Sequence, residues 1–171
     1  MPKDLPTVAI AGRPNVGKST LFNRITGGRQ AITSKLEGTT RDRIYGKADW
    51  NGKYFNLIDT GGYVPRSDDL IEATVRRQAE VAIEQADLIL FVVDADTGIT
   101  SIDQDLANQL HDQAAQTLVV VNKVDSDNKA LAVHEFWNLG LGEPIPVSAA
   151  TGRLSGDMMD ALVERLEAVE I

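Results

Sequence analysis

Cysteine is absent from this chain of 171 residues. That removes any disulfide framework and any thiolate metal site, and it fits the cytosol. Aromatic residues are scarce at 5%, so an aliphatic core is required. No long apolar run exists. Stretches such as Leu88 to Val93 fall far short of the roughly 20 residues needed to cross a bilayer, and Met1 to Pro6 is too polar for a signal peptide. A soluble cytoplasmic chain without a membrane partner is therefore expected. Positive charge is in deficit: 17 Lys and Arg stand against 25 Asp and Glu, a net charge of −8. Such a balance repels phosphate backbones, so little nucleic-acid binding is expected from this chain alone. Any phosphate it binds must be held by local geometry. The length and a hydrophobic content of 43% suffice for one globular domain with a full core.

What is present is an alternation of short β-branched runs with amphipathic stretches. The spacing predicts strands at Thr7 to Ala11, Arg43 to Trp50, Tyr54 to Ile58, Leu88 to Val93, Leu118 to Val121 and Pro144 to Val147. Asn51-Gly52 is a hairpin signal between the second and third. Helices are predicted at Lys18 to Ile25, Leu70 to Gln85, Ile102 to Ala114, Lys129 to Leu139 and Ser155 to Glu167. The result is an α/β, three-layer fold: a mostly parallel six-stranded sheet with one antiparallel edge strand and helices on both faces. In such sheets ligands bind beyond the carboxyl ends of the strands. The residues that follow each strand therefore carry the function.

After the first strand comes Gly12-Arg13-Pro14-Asn15-Val16-Gly17-Lys18-Ser19-Thr20, a full match to G-x-x-x-x-G-K-[ST]. Its glycines let successive backbone N–H groups face a phosphate chain at a helix N-terminus. Lys18 would reach the β- and γ-phosphates, and the Ser19 hydroxyl would ligate Mg²⁺. An ordinary glycine-rich turn is the bland reading, opposed by the strand before and the helix after.

A phosphate loop does not choose its base. Asn122-Lys123-Val124-Asp125 follows the fifth predicted strand, and a carboxylate such as Asp125 can accept both N1–H and the 2-amino group of guanine. Asn122 would brace the loop, and the Lys123 stem would lie across the base. Ser148-Ala149-Ala150 can offer backbone N–H groups to the guanine O6. Between these sites, Asp59 ends an apolar strand and precedes Thr60, Gly61 and Gly62, the arrangement that holds Mg²⁺ in P-loop enzymes. Asp94 ends a similar strand and competes for that role. The glycine pair favours Asp59, since Gly62 can swing a backbone N–H onto a γ-phosphate and away again. Thr39 and Thr40, in a polar segment before the hairpin, can close over the metal.

Together these segments resemble translation-factor-like GTPases, and in particular the first G domain of the Der (EngA) family. The resemblance rests on residues 13–24, on Gly38-Thr39-Thr40-Arg41-Asp42-Arg43, on Asp59-Thr60-Gly61-Gly62 and on Leu139-Gly140-Leu141-Gly142-Glu143. It covers nearly the whole chain. It implies GTP/GDP binding and hydrolysis with Mg²⁺, and a part in large ribosomal subunit assembly. The family's full-length members carry tandem G domains and a KH-like domain, so residues 1–171 are expected to be a single G domain from a longer protein. Thr40 takes the family's switch threonine position, while Glu37 stands where proline is usual. Ras-type GTPases place a water-orienting glutamine where this chain has Tyr63. No cis arginine finger is evident, because the resemblance turns Arg13 away. In related GTPases an asparagine at the position of Asn15 holds K⁺, which would supply positive charge near the phosphates. The alternative is that Asn15 only shapes the loop. Lys18, Thr40, Gly62 and Asn15 are thus the catalytic candidates; Ser19, Thr40, Asp59 and Asn15 are the metal candidates.

His111 and His134 lack partners at ligand spacing and read as surface or cap residues. Trp50 and Trp137 read as packing residues, and Asp68-Asp69 as a helix cap before Leu70. Two further function classes compete with a GTPase switch. A P-loop ATPase or kinase is opposed by Asn122-Lys123-Val124-Asp125; a nucleotide-binding interaction domain with little turnover is separable only by phosphate release.

Overall fold

The structure, a computed structural model, describes residues 5–28, 32–35, 42–61 and 67–169. Its elements in chain order are β1 (Thr7–Ala11), α1 (Lys18–Thr26), β2 (Ile32–Lys35), β3 (Asp42–Trp50), β4 (Lys53–Asp59), α2 (Asp68–Gln85), β5 (Leu88–Asp94) and α3 (Ser101–Gln109). A 3₁₀ segment at His111–Gln116 leads to β6 (Thr117–Asn122), then α4 (Asp127–Ala130), a second 3₁₀ segment at Leu131–Leu139, β7 (Ile145–Pro146) and α5 (Ser155–Val169).

The strands form one sheet in the order β2-β3-β4-β1-β5-β6-β7. From β4 to β7 the pairs are parallel, and β3 runs antiparallel to both of its neighbours. The α/β class and the helices on both faces are as expected. The sheet has 7 strands rather than six. The additional strand, β2, pairs Ile32 to Lys35 with Asp42 to Tyr45, so the antiparallel strand lies one place in from the edge. The hairpin forms as read: Trp50 pairs with Lys53 across Asn51 and Gly52, whose φ values of 51° and 82° are those of a tight turn matching the strand twist.

Alternation along β1 builds two cores. Val8 and Ile10 face a layer containing Leu21, Phe22, Met158, Leu162 and Leu166 from α1 and α5. Ala9 and Ala11 face Val75 and Ala79 of α2, Leu106 of α3, and Phe136. β5 and β6 are buried along their whole length, as expected of central parallel strands.

Four sequence readings need correction. The helix predicted to Ala114 leaves α geometry after Gln109 and continues as a 3₁₀ segment. The one predicted over Lys129 to Leu139 is α-helical only to Ala130, then 3₁₀. Three residues per turn eclipse i and i+3, so Val133, Phe136 and Leu139 face inward. Trp137 is consequently 48% exposed, not a core residue. Trp50 does pack against the first core, and its Nε1 donates to Asp160 Oδ1 at 2.8 Å. Finally, the cap of α2 is Ser67, whose hydroxyl accepts from Leu70 N; Asp68 is already helical.

Candidate nucleotide site

The described loops that carry the nucleotide motifs, after β1, β4, β6 and β7, leave the same end of the sheet. The register sets Ile10 beside both Asp59 and Leu90, and Asp94 beside Asn122, so β5 and β6 run on past the ends of β1 and β4. Thr60 ties β4 to β1 through its hydroxyl, which donates to Ile10 O at 2.7 Å.

The loop from Gly12 to Gly17 turns through left-handed backbone at Asn15 (φ 71°) and Gly17 (φ 95°). A Cβ on Gly12 would lie 2.7 Å from Val92 O, and one on Gly17 would run into the Asn122 amide. Both positions therefore require glycine. Gly17 is also the N-cap of α1, with no side-chain cap bond. Lys18 is only 8% exposed, and its ammonium donates to Gly12 O at 2.9 Å and Arg13 O at 2.8 Å. Burial lowers its pKa to about 8 despite the nearby Asp59 carboxylate, with the Arg13 charge acting in the same direction as burial.

Asp59, 1% exposed, accepts from Gly61 N at 2.9 Å. Burial pushes its pKa up, against the Gly61 N–H, the Lys18 charge and a hydrogen bond from Ser19. Two opposite charges thus sit desolvated side by side, each held at a cost. Asp94, the competing acid, is engaged elsewhere. Its Oδ1 accepts from Asp96 N at 2.7 Å, and its Oδ2 pairs with Lys123 Nζ at 2.8 Å.

The loop after β6 is stitched to the loop after β1. Asn122 Nδ2 donates to Val16 O at 2.9 Å, and Asn122 Oδ1 accepts from Ala149 N at 3.0 Å. Lys123 Nζ also donates to Asn15 O at 2.9 Å. One amide side chain therefore joins the Gly12–Gly17 loop, the Asn122–Asp125 loop and the Ser148–Ala150 loop. Asp125 is exposed, and Lys129 bridges it to Asp96 at 3.1 Å and 2.9 Å. Those two hydrogen-bonding carboxylates, Asp96 first, raise the Lys129 pKa. Ser148 is buried, and its hydroxyl accepts from Thr151 Oγ1 at 2.7 Å.

Most of the sequence candidates gather at this end: Gly12 through Thr20, Asp59, Thr60, Gly61, Asn122 through Asp125, and Ser148 through Ala150. Glu37, Thr39, Thr40, Gly62 and Tyr63 lie outside the described residues. The two histidines are exposed, and among the described residues no group of three His, Asp or Glu could hold a metal. Several partners escaped the sequence reading. Arg13 is turned to α3, pairing with the buried Asp103 at 3.3 Å and donating to Thr97 Oγ1 at 2.6 Å. Lys129 lies outside every motif, four residues after Asp125, and Arg24 closes the 13–24 segment without a role of its own there.

The fold and these loops define a P-loop nucleotide-binding α/β domain. Residues 7–123 match the family described as 50S ribosome-binding GTPase (MMR_HSR1), and the chain belongs to that family. It is thereby a guanine-nucleotide GTPase domain. It is 53% identical to GTPase Der of Moorella thermoacetica over 169 residues, covering 99% of this chain and 38% of that protein. It is 52% identical to GTPase Der of Christiangramia forsetii over 163 residues, covering 95% and 38% respectively. The chain thus spans well under half of the length of these relatives. Among solved structures, Era of Aquifex aeolicus bound to GDP·AlF4⁻ aligns with a TM-score of 0.74 at 30% identity, over 94% of this chain and 56% of that one. Elongation factor SelB of Methanococcus maripaludis shares the fold, with a TM-score of 0.73 at 20% identity over 100% of this chain and 36% of that one.

Proposed function

We propose that this chain is one G domain of a longer Der-type protein, and that it cycles between GTP and GDP at the joined loops. The observation that carries the reading is the double bond of Asn122, to Val16 O on one side and Ala149 N on the other. It sets a phosphate-shaped loop and a base-selective loop in one frame. Backbone N–H groups of Asn15 through Ser19 and the Lys18 ammonium bind the β- and γ-phosphates, while Asp125 accepts from guanine and the Ser148–Ala150 loop donates to it.

The residues present suit Mg²⁺. A buried, hydroxyl-bonded carboxylate at Asp59 beside Ser19 is a hard oxygen donor pair whose burial already raises its pKa. Ser19 and Thr40 would ligate the ion and Asp59 would act through water; the ion supplies positive charge to the phosphates. Lys18 neutralises the same oxygens, and Gly62 offers its N–H to the γ-phosphate. Asn15 would hold K⁺, which would supply positive charge where other GTPases use an arginine finger, for Arg13 is committed to Asp103 and Thr97.

The partner of the whole protein is the large ribosomal subunit in the cytoplasm. The solved relative Era is described in complex with a segment of 16S ribosomal RNA, but the net charge of −8 leaves this domain with little attraction of its own for RNA. No helix among the described residues is long and apolar enough to cross a membrane. Competition of GTP against ATP, followed by phosphate release, tests the reading. Preference for ATP, or no release in Mg²⁺ and K⁺, would refute it.

A further inference from the structure

Arg24 belongs to no nucleotide motif, yet it grips the loop that follows β7. It lies in the last turn of α1, the helix that begins at the phosphate loop. Its Nε donates to Ala149 O at 3.0 Å and its Nη2 to Ala150 O at 3.1 Å. Gly152, at φ +85°, leaves room for the guanidinium; a Cβ there would come within 3.2 Å of Nη1.

The peptide plane gives this grip a chemical meaning. In a trans peptide the C=O and the following N–H point in opposite directions, and no cis bond occurs among the described residues. With Ala149 O drawn to Arg24, the Ala150 N–H must face away from the helix. The neighbouring amides are already committed: Ala149 N donates to Asn122 Oδ1 and Thr151 N to Ser148 Oγ. Ala150 N donates to no protein group among the described residues. The loop therefore presents one free, directed donor beside the Asn122 bracket, and a planar fork fixed on two adjacent carbonyls sets its direction.

We infer that Arg24 is a positioning residue for base selection: by holding the Ala149 and Ala150 carbonyls it aims the Ala150 amide at the 6-oxo group of a purine. This rests on the GTP reading above. It adds the residue that sets the second reader: Asp125 reads the 2-amino edge, and Arg24 fixes the loop that reads the 6-oxo edge. Because Arg24 and Lys18 share one short helix, the phosphate end and the base end are spaced by a single rigid element.

The test measures affinities of the chain for three ribonucleoside triphosphates: GTP, the 2-aminopurine analogue lacking the 6-oxo group, and inosine triphosphate lacking the 2-amino group. Arg24→Met should weaken GTP by roughly threefold to tenfold and leave 2-aminopurine binding within about twofold, shrinking discrimination for the 6-oxo group. Arg24→Lys, with one flexible donor, should fall between. Preference for GTP over inosine triphosphate, which Asp125 reads through the 2-amino group, should persist. Equal weakening of GTP and the 2-aminopurine analogue by Arg24→Met would mean a merely structural role and overturn the inference. So would unchanged GTP affinity. Should Arg24→Met fail to fold, Arg24→Lys and Arg24→Gln carry the same comparison. Failure of the GTP reading itself would appear separately, as a wild type that does not prefer GTP over ATP.

Discussion

Asn122 Nδ2 reaches Val16 O at 2.9 Å across a sequence separation of 106 residues, inside a buried junction. Truncation to Ala would strand that carbonyl and the Ala149 N–H together. Each unsatisfied group costs about 1–3 kcal/mol. Asn122→Ala should therefore lower the melting temperature and weaken GDP and GTP alike. Thermal denaturation and nucleotide titration check this, and an unchanged profile in both would remove Asn122 from the centre of the site.

The carboxylate of Asp125 is exposed and, among the described residues, pairs only with Lys129 at 3.1 Å, so it can turn to a base. Asp125→Asn exchanges an acceptor for a donor. Binding of GTP should fall and that of xanthosine triphosphate should rise, a change of about 1–3 kcal/mol in relative affinity. Retention of the wild-type preference would show that guanine is read elsewhere.

Two acids end the strands on either side of β1, but it is Asp59 that hydrogen-bonds Ser19 and feels the Lys18 charge. Asp59→Ala should abolish the Mg²⁺ dependence of GTP binding. Asp94→Ala should keep it, while loosening Lys123 and the turn at Asp96. The reverse pattern in a Mg²⁺ titration would exchange the two roles.

The low pKa of Lys18, about 8, predicts a pH dependence with a definite sign. Between about 8 and the free lysine value of 10.5, the unfolded chain holds more protons than the folded one. Stability of the free domain therefore rises with pH across that window, and the desolvation penalty is full below it. Nucleotide binding runs the other way, because phosphates require the charged form. GDP affinity should be flat below pH 8 and decline above it, approaching about tenfold per pH unit. Lys18→Arg, charged throughout, should titrate flat. A flat wild-type curve would contradict the assignment.

Monovalent cations should matter through Asn15. At equal ionic strength, turnover in KCl should exceed that in NaCl, and Asn15→Ala should erase the difference. Its left-handed φ of 71° and the bond from Lys123 to its carbonyl shape the loop without using the side chain. Equal wild-type rates in both salts would leave Asn15 with that shaping role alone.

Local chemistry made much of this domain legible. Gly12, Gly17 and Lys18 are spaced by the demands of a phosphate chain, and Asn51-Gly52 by those of a two-residue turn. β2 escaped because Ile32 to Lys35 has a single aliphatic residue and takes its order from pairing with β3. The 3₁₀ stretch at Leu131–Leu139 escaped because its buried residues, Val133, Phe136 and Leu139, are spaced by three, a spacing that neighbours on an α-helix also show. Trp137 was misplaced for that reason. Contacts such as Asn122 with Val16, Arg13 with Asp103, and Arg24 with Ala149 are products of the folded sheet, which no local pattern encodes.

Among the helices, α2, α3 and α4 each open on a hydroxyl: Ser67, Thr100 and Ser126. α1 opens on Gly17, with neither a side-chain cap nor an acid in its first turn. Its leading N–H groups are left for an anion to satisfy. The molecule that the domain consumes is then also the final piece of its architecture. A ligand at about a hundred times its Kd adds about 2.7 kcal/mol of stability, a large share of what a domain of this size possesses. On the proposed function, bound nucleotide would thus carry part of the folding stability of the domain.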